Sequence, residues 1–200
     1  MKRIALITGA SSGIGEACAR KFAEGGYDLI LTARRAEKLA ELGAEGTKVK
    51  TLTFDVRDAE AAEAAINSLE PEWRKIDVLI NNAGLALGLD KEYEGDPDDW
   101  NTMIDTNIKG LLTMTRLIVP GMVERNEGHV INIGSVAGDA AYAKGNVYCA
   151  TKAAVKTITD GLRIDLAETA VRVSICQDKI DDDEKWDGLK GYVTNTLLPP

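Results

Sequence analysis

Short apolar runs alternate along the chain with longer stretches in which apolar residues recur every three or four positions. Runs of the first kind predict strands buried on both faces, and the second kind predicts amphipathic helices. In chain order, strands are expected at residues 4–7, 28–32, 49–54, 77–81, 129–133 and 171–176. Helices are expected at 13–24, near 36–42, and at 59–69, 98–125 and 146–168. The 98–125 stretch reads as one long helix opened by the Asp96-Pro97 turn. Strand-helix alternation of this kind predicts an α/β fold, a doubly wound parallel sheet with helices on both faces, three layers deep. Residues 177–200 break the pattern. They open on an acidic cluster (Asp178, Asp181, Asp182, Asp183, Glu184) and end in Pro199-Pro200, which no buried strand accommodates.

Two hundred residues are enough for one large domain with a sizeable core, and 44% hydrophobic with 28% charged residues describes a soluble globular chain. The formal net charge of -8 argues against nucleic acid or an anionic membrane as a partner. A local basic spot for a phosphorylated small molecule stays compatible with it. Cys18, Cys149 and Cys176 are odd in number and widely spaced, and read as reduced thiols of a cytoplasmic protein. Met1-Lys2-Arg3 precedes an apolar run too short for a signal sequence, and no stretch is long enough to span a bilayer.

Candidate chemistry collects at the ends of the predicted strands, where doubly wound sheets bind ligands. After the first strand come Thr8, Gly9, Ala10, Ser11, Ser12, Gly13, Ile14 and Gly15. Small residues let backbone N–H groups and a helix start approach a pyrophosphate, so this turn predicts a dinucleotide site. After the second strand stand Arg34 and Arg35, where a carboxylate would hold an unphosphorylated ribose. A guanidinium fork suits a 2′-phosphate, which favours NADP (NADPH) over NAD; otherwise the pair is a solvated helix start. Asp55-Val56 and Asn81-Asn82-Ala83-Gly84 follow the third and fourth strands, where adenine and its ribose would rest. Asp55 could accept from the adenine amino group or serve as a cap.

Tyr148 and Lys152 stand four apart on a predicted helix, and so share a face. Two unit charges at about 5 Å and an effective dielectric of about 20 interact by roughly 3 kcal/mol. That is enough to bring a phenol with pKa about 10 well toward neutrality. A phenol so placed can trade protons with an alcohol; by itself the pair is also an ordinary helix face. Ser135, just after the fifth strand, could hold a substrate carbonyl oxygen or cap the next turn. Asn107 is disfavoured mid-helix by propensity, which points to a task beyond packing. His129, the only histidine, opens a strand and is expected to face solvent or a polar contact. One histidine supports neither a serine-hydrolase triad nor a histidine-rich metal site. Asp96, Asp98 and Asp99 read as a helix start, and Trp73, Trp100 and Trp186 are too scattered for a base-stacking platform.

Taken together, TGASSGIG, NNAG, Asn107, Ser135 and YCATK resemble the short-chain dehydrogenase/reductase family in order and spacing from about residue 4 to 176. NNAGLALG, MIDTNIKGL, PGMVERN and VINIGSVAG look like the bacterial NADP-dependent 3-hydroxy acid (serine-type) dehydrogenases. The resemblance implies that Tyr148 is the acid/base and that Lys152 binds the nicotinamide ribose. It implies that Ser135 orients substrate and that Asn107 supports a proton-relay water. Residues 9–15, Arg34, Arg35, Asp55, Val56 and Asn82 would line the cofactor. It further implies a homo-oligomer, a tetramer built on the long helices. Residues 1–176 would then be the dinucleotide-binding and catalytic domain, and 177–200 part of its substrate loop. The family carries a Pro-Gly turn and a substrate loop after the sixth strand, whereas Cys176 here runs into Gln177-Asp178-Lys179. Residues absent at that junction, in the region of a mobile lid, are the favoured explanation. A 3-oxoacyl-thioester reductase and a non-catalytic dinucleotide-binding scaffold are the alternatives.

Overall fold

The computed structural model describes residues 2–35, 37, 39, 42, 46–88, 90–177 and 192–193. Six strands run parallel: β1 (Ile4–Thr8), β2 (Asp28–Ala33), β3 (Val49–Thr53), β4 (Ile76–Asn81), β5 (Gly128–Ile133) and β6 (Val171–Gln177). Their spatial order is β3-β2-β1-β4-β5-β6, and a two-residue strand, β7 (Tyr192–Val193), pairs antiparallel with β6. The helices are α1 (Gly13–Glu24), α2 (Ala59–Asn67), α3 (Pro97–Ile104), α4 (Leu111–Arg125) and α5 (Asn146–Asp165).

Side-chain alternation along the strands builds two cores. Ile4 and Leu6 of β1 face one way, with Leu79, Val130, Ala62 of α2 and Met114, Ile118 and Met122 of α4. Ala5 and Ile7 face the other way, with Leu29, Leu31 and Cys18, Ala19 and Ala23 of α1. Each face of the sheet is therefore covered, and β1 and β4 are buried along their whole length. The chain moves outward from β1 through β2 to β3, then returns to β4 on the other side of β1. That reversal opens a crevice at the carboxyl ends of β1 and β4.

A polar ladder ties β4, β5, α4 and α5 together. Asn81 Nδ2 on β4 donates to Asn132 Oδ1 on β5 (2.9 Å) and to Thr115 Oγ1 on α4 (3.2 Å). Asn132 Nδ2 donates in turn to Thr159 Oγ1 on α5 (2.9 Å). All four side chains are buried, so each bond spares a desolvated polar group.

The expected long helix at 98–125 is broken. Between α3 and α4 the residues Asp105–Gly110 form a π-helical turn, with Thr106, Asn107 and Gly110 buried. The physical reason lies in the side chains it must seat. A Cβ on Gly110 would lie 2.7 Å from Val56 Cγ2, and Asn107 is fully bonded to two other segments. A widened turn carries such an insertion without ending the helix. α2 stops at Asn67 and α5 at Asp165, two and three residues short of expectation. The helical stretch expected near 36–42 and the acidic cluster at 178–184 fall largely or wholly outside the described residues.

Candidate active site

The turn after β1 is shaped by backbone conformations that favour glycine. Gly9 has φ +65 and Gly13 has φ +59, and a Cβ on Gly13 would meet nothing within 4 Å, because that position faces the crevice. Gly15 is the opposite case, since its Cβ would lie 2.4 Å from both Asn82 Nδ2 and Gly9 O. Ser12 makes no side-chain cap to α1, so the N–H groups of the first turn stay open toward the crevice. Thr8 and Asn82 lock this turn to the end of β4. Thr8 Oγ1 accepts from Asn82 N and Ala83 N, both at 3.0 Å, while Asn82 Nδ2 donates to Thr8 O (2.8 Å) and Gly9 O (3.1 Å).

The crevice encloses a cavity of about 400 Å³, within the range of cofactor sites. Of the residues expected from the sequence, its wall includes Gly9, Ser11, Ser12, Gly13, Ile14, Arg34, Arg35, Asp55, Val56, Asn82, Ala83, Gly84, Tyr148 and Lys152. Ala10 is fully buried beneath the turn and donates its N–H to Thr32 O (3.1 Å), and Gly15 is buried against Asn82. Both therefore support the turn from below rather than lining the cavity. The side chain of Asn82 is spent on the turn, so that residue shapes the wall through its backbone partners.

Arg34 and Arg35 are exposed at one end of the cavity. Nearby, Arg57 grips Asp55 with Nε within 3.1 Å of both carboxylate oxygens and Nη2 at 2.8 Å from Oδ2. That contact, with the Arg34 charge adding to it, holds the Asp55 carboxyl below its ordinary range despite the opposing effect of burial. The carboxylate is thereby fixed in the ionised form in which it only accepts hydrogen bonds.

The open first turn of α1 and the two exposed arginines fit a large polar anion. Among the described residues, Thr32 Oγ1 and Thr106 Oγ1, both on wall residues, are buried with no hydrogen-bond partner.

At the other end of the cavity, the polar groups on α5 and the π turn converge. Lys152 is buried and donates from Nζ to Ile133 O (2.9 Å), which holds its ammonium 5.8 Å from the Tyr148 ring centroid. Asn107 Oδ1 accepts from Leu85 N (2.9 Å), and its Nδ2 donates to Leu85 O (2.9 Å) and Thr151 Oγ1 (3.0 Å). Thr151 Oγ1 donates to Tyr148 O (2.7 Å), so the π turn, the 84–86 segment and the first turns of α5 form one unit. A Cβ on Gly84 would meet Asn107 Oδ1 at 3.2 Å and Lys152 Nζ at 3.7 Å, which explains a glycine there. Ser135 is buried and accepts from Ala137 N (3.2 Å) as a cap, leaving its O–H to donate. Neither Asn107 nor Ser135 lines the cavity.

A second, smaller cavity adjoins the first, and Tyr148 and Ala86 belong to the walls of both. Sequence reasoning gave no substrate-site part to the residues of this second wall other than Tyr148, and it missed Thr106 and Leu85. The only signal for Thr106 is a β-branched hydroxyl beside a motif, which also suits plain packing. His129 lines neither cavity. It makes the polar contact expected of it, with Nε2 at 2.9 Å from Ser174 Oγ. Burial first, and then the Arg172 charge, push its pKa down to about 4. Among the described residues no helix is long and apolar enough to cross a membrane.

A family model described as short chain dehydrogenase matches residues 3–179. The chain is 56% identical to the NADP-dependent 3-hydroxy acid dehydrogenase YdfG of Salmonella typhi, over 98% of this chain and 84% of that protein. That alignment runs to 210 positions, longer than the chain itself, so it carries gaps on this chain's side. Identity to the YdfG of Escherichia coli K12 is 53%, covering 86% of this chain and 69% of the relative. In structure, the chain is similar to serine dehydrogenase from Escherichia coli, with TM-score 0.82 and 53% identity over 86% of this chain and 80% of that one. A closed form of serine dehydrogenase complexed with NADP+ gives TM-score 0.83 at 50% identity, covering 87% and 71%. On the family match, the relatives and the shared fold, the chain belongs to the short-chain dehydrogenase family.

Proposed function

We propose that the protein is an NADP-dependent oxidoreductase acting on CH–OH groups, and that it interconverts a small 3-hydroxy acid of the serine or 3-hydroxypropionate type with its carbonyl partner. The observation that carries this reading is the position of Tyr148, on the wall shared by a cofactor-sized cavity and a smaller one, with the Lys152 ammonium held nearby. NADP bound in the larger cavity would supply the acceptor or donor of hydride. Its pyrophosphate would rest on the 9–15 turn and the open start of α1, and its 2′-phosphate against Arg34 and Arg35. Asp55, fixed by Arg57, would accept from the adenine amino group. The names of the similar proteins, 3-hydroxy acid and serine dehydrogenases, support both the cofactor and the substrate class.

Tyr148 would take the hydroxyl proton of the substrate as phenolate in the oxidative direction, and return it in the reductive one. Lys152 favours that phenolate through its charge, an opposite-charge effect strengthened by burial. Ser135, through the O–H left over from its cap, would orient the reacting oxygen. Asn107 ties α5 to the 84–86 segment, which forms part of both walls, and would support a relay water as the resemblance implies. Buried Cys18, Cys149 and Cys176 suit a reducing cytoplasm. Exposed Leu112 and Val123 on α4 and Ile164 on α5 suit assembly into the tetramer that the resemblance implies.

The test is NADPH formation from NADP with serine and 3-hydroxypropionate, run against NADPH consumption with a 3-oxoacyl thioester. Turnover of the hydroxy acids at the higher kcat/KM is expected. Preference for the thioester would move the substrate class, and NADPH binding without turnover of any of them would leave only a nucleotide-binding scaffold.

A further inference from the structure

We infer that Lys144 is the residue that selects carboxylated substrates, by receiving the substrate carboxylate in the second cavity. The inference rests on the oxidoreductase reading above. Lys144 and Tyr148 both stand on the wall of that cavity, the lysine just outside the N-terminus of α5 and the tyrosine in its first turn. Lys144 is the only lysine or arginine among the described residues of that wall. The wall also carries Asp90, Glu92, Asp96 and Asp99. Glu92 already accepts from Asn146 Nδ2 (3.0 Å), and Asp96 accepts from Asp98 N (2.9 Å). Among the described residues of this wall Lys144 thus supplies the one positive charge against four carboxylates, so a monocarboxylate bound there would orient toward it and a second carboxylate would meet repulsion.

The backbone gives the independent sign. Lys144 has φ +67, one of two non-glycine residues in the left-handed region among the described residues. The other, Asn126, is the C-cap of α4 and uses its side chain to accept from Ala170 N, a usual role for asparagine. Lys144 is the third residue of a turn closed by Gly145 N donating to Tyr142 O (3.1 Å), a position where positive φ ordinarily selects glycine or asparagine. The turn is rigid, since a Cβ on Gly145 would fall 2.1 Å from the Tyr142 ring. A long cationic side chain kept in a conformation that disfavours it, beside the proposed proton donor, marks a position held for what the charge does. The carboxylate of a 3-hydroxy acid lies two carbons from the carbon bearing the hydroxyl. A cation on the wall that Tyr148 shares would meet an acid of that length.

The experiment compares a 3-hydroxy acid with its uncharged amide in the wild type, Lys144→Gly and Lys144→Arg. Glycine relieves the left-handed strain, so that variant should melt no lower than the wild type. The acid-over-amide ratio of kcat/KM should collapse in Lys144→Gly by roughly tenfold to a hundredfold, through KM of the acid, and should survive in Lys144→Arg. An unchanged ratio, or equal losses for both substrates, would overturn the assignment while leaving the oxidoreductase reading in place. Failure of the wild type on both substrates would overturn the two together.

Discussion

The two cavities that meet at Tyr148 are built on opposite plans. Around the larger one, the groups that shape the wall are tied down by the protein. Thr8, Asn82, Asn107 and Lys152 spend their polar atoms on backbone groups of neighbouring segments. Around the smaller one, much of the wall is exposed and charged, and one residue is held in strain. A cofactor common to many enzymes calls for a rigid, preorganised cradle, whereas the surface that reads the substrate can vary in charge with little effect on the fold.

Removing a tied group should therefore hurt the fold, as Lys144→Gly should not. Asn107→Ala deletes three hydrogen bonds, one buried and two part-buried, and strands Leu85 N. Its cost is about 2–4 kcal/mol, and thermal unfolding should show a midpoint lower by roughly 5–15 °C. A midpoint within a degree of wild type would mean that the 84–86 segment is not held from the π turn.

Arg34→Ala stands between the two extremes, a free surface cation on the cofactor wall. NADPH affinity should fall by roughly tenfold to a hundredfold with NADH affinity little changed, as read by fluorescence titration. Equal losses for the two nucleotides would remove the 2′-phosphate role.

His129 gives the smallest effect, remote from both cavities. Its pKa is about 4 in the folded protein against 6.5 ordinarily, so between those values the unfolded chain binds the extra proton. Stability contributed by the neutral ring is present above pH 6.5 and lost as pH falls toward 4. Melting curves across that window should drop by a few degrees, and more shallowly in His129→Gln. A slope identical in both proteins would place the acid sensitivity elsewhere.

The contrast between the walls also decides how much of the molecule is legible in its sequence. The parallel strands and the 9–15 turn follow from local patterns, because apolar runs and glycines answer to constraints within a few residues. Arg34 and Asp55 are legible from their places at strand ends. The break at Asp105–Gly110 is not, since it arises from what Asn107 and Gly110 meet across the fold at Leu85 and Val56. Ala10 and Gly15, expected with the rest of the motif at the cofactor, are buried beneath the turn, a placement that the motif alone does not reveal. Lys144 carries no signal at all in the linear pattern. Its meaning comes from a backbone angle and from the company of Tyr148 across a cavity wall.

The reaction proposed here depends on one phenol. For Tyr148→Phe, turnover of the 3-hydroxy acid and NADPH titration should be measured on the same sample. A fall in kcat of about 10²–10⁴-fold with nucleotide affinity nearly intact is the predicted result. A variant that keeps most of its rate, or that loses its nucleotide in step with its activity, would contradict the assignment of Tyr148 as the proton-transferring group.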